Sequence, residues 1–429
     1  GIRERVDQIR RDHGSLKVCE VTVDQLYNGL RGVMIHINDV SYLDPEKGIR
    51  FRGYPIPDLI ARLPKNQGDE FPLAGGLFFL LMTGELPNDE NALAVEKDWV
   101  LNATIPDHVQ NIIKAFPTDS KPMTIFSAAI LAMQHESGRS SEKTEQIPDD
   151  KNWELYLEDS FNLIARLPGI AASIFNHLYD RELNFSPLPG KDWSSSFTHQ
   201  IGIASDTAIE EYCGLFLMLH AGEEGDSNSA NISRLAASAR ADTYSCCAAA
   251  MAGLSAHLQR NQEYLRWLKT ILDHFKRLPK KENLVKDLSS QIESGVKLPG
   301  NGSSSLRIPD PRFTTQLEFA EKHLPGDELI HLTRMIFDVL PSMVLSTGRI
   351  KSSYPNIGPI DGLILRSIGM KQAEFHPVLL GMSRILGLTA NVVWSRALNL
   401  PIEKPKALTS AILEEMIHMD NIQEREYGP

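Results

Sequence analysis

His220, Glu223 and Glu224 stand close together at the end of an apolar run. An imidazole beside two carboxylates is a set that can donate and accept protons in general acid–base chemistry. The same spacing suits a solvated helix end, and spacing alone leaves both readings open. His257 precedes Asn261, Gln262 and Glu263 where the pattern predicts a helix to begin. A helix start favours the neutral, hydrogen-bond-donating form of an imidazole, although a structural histidine is the plainer reading. Arg384 lies inside the apolar stretch Leu379–Leu386. A guanidinium near a core needs an anion, typically a bidentate carboxylate from the protein or from a ligand. Arg307 and Arg312 are ordinary by themselves. Gly300-x-Gly302 lacks the third glycine of a dinucleotide fingerprint and follows no strand, so it reads as a loop. There is no H-E-x-x-H, P-loop or G-x-S-x-G. The cysteines Cys19, Cys213, Cys246 and Cys247 fit no zinc pattern and no C-x-x-C pair, so no metal site is expected and reduced intracellular thiols are.

The elements that must hold these groups are mainly helical. Tyr264, Leu268, Ile271, Leu272 and Phe275 share one helix face, which Pro279 should close. Leu329, Leu332, Met335, Ile336 and Val339 form a second stripe before Pro341. Met123–Met133 and Met382–Leu400 are apolar enough for buried helices. Near the N-terminus, Lys17–Val23, Val33–Ile37 and Gly48–Gly53 read as short strands, with a turn at Asp44-Pro45. Glu136–Asn152, Phe185–Phe197 and Lys297–Arg312 read as loops. The expected class is all-α, with a minor N-terminal β-hairpin element.

Composition narrows the function. The chain has 429 residues, 44 Lys plus Arg, 55 Asp plus Glu and a net charge of −11. With 42% apolar and 23% charged residues it can fill a large core and is not a disordered chain. An acidic chain without a long basic run is a poor partner for nucleic acid or for an anionic membrane surface. The longest apolar stretch, Phe71–Met82, is about half of the roughly 20 residues that a spanning helix needs.

Several strings together resemble citrate synthase of the eukaryotic type, over essentially the whole chain. They are Leu30-Arg31-Gly32, the run from Leu43 to Tyr54, Asn261-Gln262-Glu263, Asp310-Pro311-Arg312, Tyr354-Pro355-Asn356, Trp394–Leu398 and Glu403-Lys404-Pro405-Lys406, in the family's order. The resemblance implies a helical homodimer with a large domain, 1–259 and 369–429, and a small domain, 260–368, that closes over a cleft. It also implies condensation of acetyl-CoA with oxaloacetate, with no tightly bound cofactor and a CoA thioester as substrate. In that family an Asp removes the α-proton, one His holds the enol, and a second His hydrogen-bonds the keto oxygen and gives a proton.

Carried over by position, the resemblance is selective. His257 matches the enol-holding His, behind a Gly-rich lead-in two residues shorter than the family's. Ser303 stands where the second His belongs, and Gly358 where the Asp belongs. His220 matches the first His of the family's His-x-x-His stretch, and Glu223 stands at the substrate-binding second. Arg312 and Arg384 match two carboxylate-binding arginines, and Lys404 stands for the third, which the partner subunit supplies. Arg31, Arg307 and Lys351 match basic contacts to CoA, while Asp149 reverses the charge of a fourth. Binding positions persist and two catalytic side chains do not. The first expectation is therefore a repurposed enzyme. It would act on a citrate- or alkylcitrate-like acid or an acyl-CoA by cleavage, cyclisation, dehydration or decarboxylation. His257, Glu223, Ser303 and Asp361, one helical turn past Gly358, would take part. The second is an inactive homologue acting as a binding partner, alone or in a mixed dimer with an active synthase. The third is a working citrate or alkylcitrate synthase with substitute residues. Either the mitochondrial matrix or the cytoplasm suits a soluble chain of this kind.

Overall fold

A computed structural model describes residues 2–138, 151–180, 191–202, 207–222, 227–254, 258–295, 298–300, 306–346 and 354–426. The chain opens with α1 (Ile2–His13) and α2 (Val23–Tyr27), then a small sheet of β1 (Ser41–Asp44), β2 (Gly48–Phe51) and β3 (Tyr54–Pro55). Helices follow almost without interruption: α3 (Ile56–Arg62), α4 (Ala74–Thr83), α5 (Asp89–Leu101), α6 (Asp107–Ala115), α7 (Pro122–Ala132), α8 (Trp153–Tyr179) and α9 (Trp193–Gln200). Next come α10 (Thr207–His220), α11 (Asn228–Ser238), α12 (Thr243–Leu254), α13 (Leu258–Phe275), α14 (Lys281–Glu293) and α15 (Pro311–His323). The last four are α16 (Glu328–Ser346), α17 (Ile357–Ser367), α18 (His376–Ala397) and α19 (Ser410–Glu426).

Only one of the three expected strand runs forms a strand. β1 and β2 pair antiparallel with Ser41 opposite Phe51 and Asp44 opposite Gly48. Asp44 Oδ1 accepts from the N–H of Glu46 and Lys47, and Gly48 takes the left-handed φ of 78° that the turn requires. The β-branched run before Val23 ends in a capping box instead. Thr22 Oγ1 accepts from Gln25 N–H while Gln25 Oε1 accepts from Thr22 N–H, and α2 starts there. Val33–Ile37 finds no strand to pair with, and Ile37 is 88% exposed.

One further expectation changes, and one stripe extends. The stripe Leu329–Val339 lies in α16, which continues through Pro341 at the loss of one helix bond, with Leu340 and Val344 buried on either side of it. The serine run Ser194–Ser196 is not loop. Asp192 caps α9 by accepting from Ser195 N–H at 2.9 Å, and all three serines are buried.

The core centres on α18, which packs against α8, α10, α12, α4, α11 and α7. The segment Ala373–Ala397 is long and apolar enough to cross a membrane, but most of it is buried inside the protein as the core helix. Helices α13 to α17 pack chiefly on one another. They meet the rest through α15 on α10 and α3, and through α13 on the short turn Ala373–Phe375.

Candidate active site

The N-terminal hairpin and α15 build one wall. Asp310 caps α15 by accepting from Arg312 N–H at 2.9 Å, and Pro311 occupies the first helical position, where its missing N–H is no loss. A Cβ on Gly48 would stand 2.7 Å from Pro311 Cδ, so the hairpin turn rests directly on that helix start. Arg307 N–H donates to Pro45 O at 2.8 Å, and its exposed guanidinium meets Glu46 at 2.7 Å. These contacts explain why the Leu43–Tyr54 and Asp310–Arg312 strings belong to one construction.

Asp310 also grips the Arg312 side chain. Arg312 Nε donates to Oδ1 at 3.0 Å and Nη2 to Oδ2 at 2.8 Å, and both residues are buried. This bidentate pair orients the guanidinium and compensates most of its charge, so an anionic ligand must share Arg312 with Asp310. Arg384 is treated differently. It is 9% exposed on α18, and its Nη1 donates to the Gly222 carbonyl at 2.7 Å. That carbonyl fixes the direction of the guanidinium. Gly222 must be glycine here, because a Cβ would lie 1.9 Å from the Phe51 ring of β2.

A buried polar chain runs behind these groups. His220 Nε2 lies 3.1 Å from Asp361 Oδ1, and the carboxylate fixes that nitrogen as the donor. Its Nδ1 is buried without a hydrogen-bond partner among the described residues, and its ring packs on Phe216 at 4.5 Å. Gln316 Nε2 donates to the same Asp361 oxygen at 2.7 Å, and Tyr212 O–H donates to Gln316 Oε1 at 2.5 Å. Burial first, and then the nearby Asp361 charge, push the Tyr212 hydroxyl far above its ordinary value, so it remains a donor. Beside the chain, His376 Nε2 donates to Met370 O, and burial pulls the His376 pKa below its usual value. Gln316 and Tyr212 were not singled out from sequence. The signal was present: Tyr212, Phe216 and His220 recur at i, i+4 and i+8 on one face of α10, and Gln316 lies one turn beyond Arg312.

α17 begins at Ile357, so Gly358 lies in its first turn and offers no side chain. Gly300 is locked beside it. Its carbonyl accepts from Asn356 N–H at 2.8 Å, and a Cβ on it would meet Tyr264 at 2.6 Å and Pro359 at 2.8 Å. The start of α17, the loop at Gly300 and α13 are thus one packed unit. Arg31 and Lys404 are exposed, Arg31 beyond α2 and Lys404 beyond α18. Glu223, His257, Ser303, Lys351 and Asp149 lie outside the described residues. No cluster of three or more metal-ligating side chains occurs among the described residues.

The family profile described as "Citrate synthase, C-terminal domain" matches residues 29–406. The probable mitochondrial citrate synthase of Glossina morsitans morsitans is 40% identical over 97% of this chain and 90% of its own length. Mitochondrial citrate synthase of Kajikia audax is 40% identical over 95% and 87%. Among solved structures, citrate synthase of Pyrobaculum aerophilum superposes with a TM-score of 0.73 at 22% identity, covering 89% of this chain and 92% of that one. A ternary complex of Thermoplasma acidophilum citrate synthase with carboxymethyl coenzyme A and oxaloacetate superposes at 0.69, also at 22% identity, covering 89% and 95%. The fold, the profile and the relatives agree: the chain belongs to the citrate synthase family.

Proposed function

We propose that the chain is an enzyme that binds a carboxylated substrate, a citrate- or alkylcitrate-like acid or an acyl-CoA, and transforms it by chemistry other than the ordinary condensation. The observation that carries this is Gly358 in the first turn of α17, at the position where the resemblance places the family's base. The next carboxylate along that helix, Asp361, is buried and already accepts from His220 and Gln316. A general base is worth on the order of 10²–10⁴ in rate, so its loss together with the His-to-Ser change at Ser303 suppresses enolisation of acetyl-CoA. Arg384 and Arg312 anchor the carboxylates, with Lys404 of a second copy completing the set in a homodimer. Arg31, Arg307 and Lys351 receive the phosphates of a CoA thioester, which enters as substrate and not as a bound cofactor. Glu223, His257 and Ser303 are the groups offered to the reacting atoms. The relatives are mitochondrial citrate synthases, which favours a mitochondrial location and, taken alone, an ordinary synthase. They do not report on Gly358 or Ser303.

A second reading has its own support. Arg312 is already satisfied by Asp310, which suits a protein that has kept the fold and given up turnover, acting in a mixed dimer with an active synthase.

Thiol release from acetyl-CoA in the presence of oxaloacetate tests the proposal. The expected rate is near background, and a rate comparable to that of a known synthase overturns it. A thermal-shift screen of CoA thioesters and di- and tricarboxylates then identifies the ligand class, because a ligand of the native state raises stability by RT ln(1 + [L]/Kd). With the substrate in hand, Glu223→Gln should abolish turnover and leave the fold intact.

A further inference from the structure

The polar chain has an arrangement that the ligand anchors alone do not require. Both of its ends belong to α10, Tyr212 and His220, eight residues and therefore about 12 Å apart along the helix. Both of its middle members belong to the α13–α17 bundle, Gln316 on α15 and Asp361 on α17. The bundle is thus fastened to α10 at two points by buried hydrogen bonds. We propose that Tyr212–Gln316–Asp361–His220 is a clasp that holds this bundle in register on α10, and that Asp361 and Gln316 are positioning residues. This rests on the reading that residues 260–368 form a domain that moves against the rest.

Two independent features support it. The first is a cavity of about 50 Å³ beside the clasp, between the bundle and the α10–α18 side. Phe216, Leu265, Asp361, Leu365, His376 and Leu380 line it, drawn from both sides of the seam. A void removes the close packing that would otherwise oppose relative displacement, so directional bonds must set the register there. The second is the route from the clasp to the ligand anchor. His220 ends α10, and Gly222, two residues on, orients Arg384 through its carbonyl. Holding His220 therefore holds the backbone that aims Arg384. Further links across the seam join Arg307 N–H to Pro45 O, the Arg307 side chain to Glu46 at 2.7 Å, and Glu70 to Lys322 at 2.7 Å and His323 at 3.2 Å; the three side-chain pairs are partly or largely exposed, and exposed pairs contribute little.

Hydrogen exchange on the full chain without ligand tests the clasp separately from any activity. Gln316→Leu keeps volume and removes the two bonds that Gln316 makes, to Tyr212 and to Asp361. The expected result is at least a tenfold loss of amide protection in α17 and in the second half of α10, with exchange in α5 unchanged. Tyr212→Phe removes one hydroxyl and should give a smaller loss in the same two helices if Gln316→Leu fails to fold. Calorimetry with citrate as the probe should show weaker binding by Gln316→Leu than by the wild type. Unchanged exchange in both helices, or an equal loss of protection throughout the molecule, overturns the proposal. Absence of citrate binding by the wild type bears on the proposed substrate class and leaves the exchange result standing.

Discussion

Two buried carboxylates in this molecule are held by different means. Glu96, on α5, is 6% exposed and accepts two backbone N–H groups, from Gly75 in α4 at 2.7 Å and from Trp193 at the start of α9 at 2.8 Å. Asp361, equally buried, is held by side chains from α10 and α15 and borders a cavity. Backbone donors at helix starts cannot turn away, so Glu96 is a fixed brace among α4, α5 and α9. Side-chain donors can change rotamer and travel with their helices. Under the proposed clasp, a carboxylate held that way releases one partner if the seam moves. Burial is the same at the two sites, and the identity of the donors is what differs.

The largest effect expected from this contrast is on stability at Asp361. Asp361→Ala leaves the His220 and Gln316 donors without an acceptor, and at about 1–3 kcal/mol per orphaned buried group the loss should be roughly 2–5 kcal/mol. Urea unfolding followed by circular dichroism measures it. A loss below about 1 kcal/mol would mean that water from the neighbouring cavity replaces the carboxylate.

Glu96 should instead give a pH signature. Burial, and then the Asp192 charge, push its pKa from 4.5 up to about 7 against the pull of the two N–H groups. The folded state therefore keeps this proton to about pH 7, whereas the unfolded chain releases it near 4.5. Glu96's contribution is most favourable below 4.5 and is lost as pH rises to about 7, by on the order of 3 kcal/mol. Glu96→Gln cannot titrate. Its stability relative to the wild type should rise by about that amount between pH 5 and pH 8, measured by denaturant unfolding at each pH. A constant difference across the range would mean that Glu96 is ionised throughout.

The sequence was most informative where local rules and tertiary packing agree. The apolar stripe Tyr264–Phe275 lies within α13, Met123–Met133 matches α7 closely, and an Arg384 inside an apolar run is a buried guanidinium. The helix starts at Val23 and Trp193 were missed because a capping side chain, not hydrophobic pattern, decides them. The clasp was beyond reach for another reason. His220 and Asp361 are 141 residues apart, and nothing local in either segment specifies that α10 and α17 meet. Asp361 was expected to take part in the chemistry only for its spacing from Gly358, and the partners it has, His220 and Gln316, could not be read from that spacing.

The smallest expected effect sharpens the description of Glu96. Asp192 raises the Glu96 pKa through space while itself capping α9, accepting from Ser195 N–H and from the Ser194 and Ser195 hydroxyls. Asparagine is as good a cap as aspartate, so Asp192→Asn should cost only a few tenths of a kcal/mol in capping. It also removes one of the two causes that keep Glu96 protonated, the lesser one. The pH at which stability stops falling should therefore move down from about 7 by less than about one unit, because burial remains. The combined variant Asp192→Asn, Glu96→Gln should show no further shift. A shift that persists without Glu96 would assign the pH signature to another group and remove the basis for treating Glu96 as the titrating member of the pair.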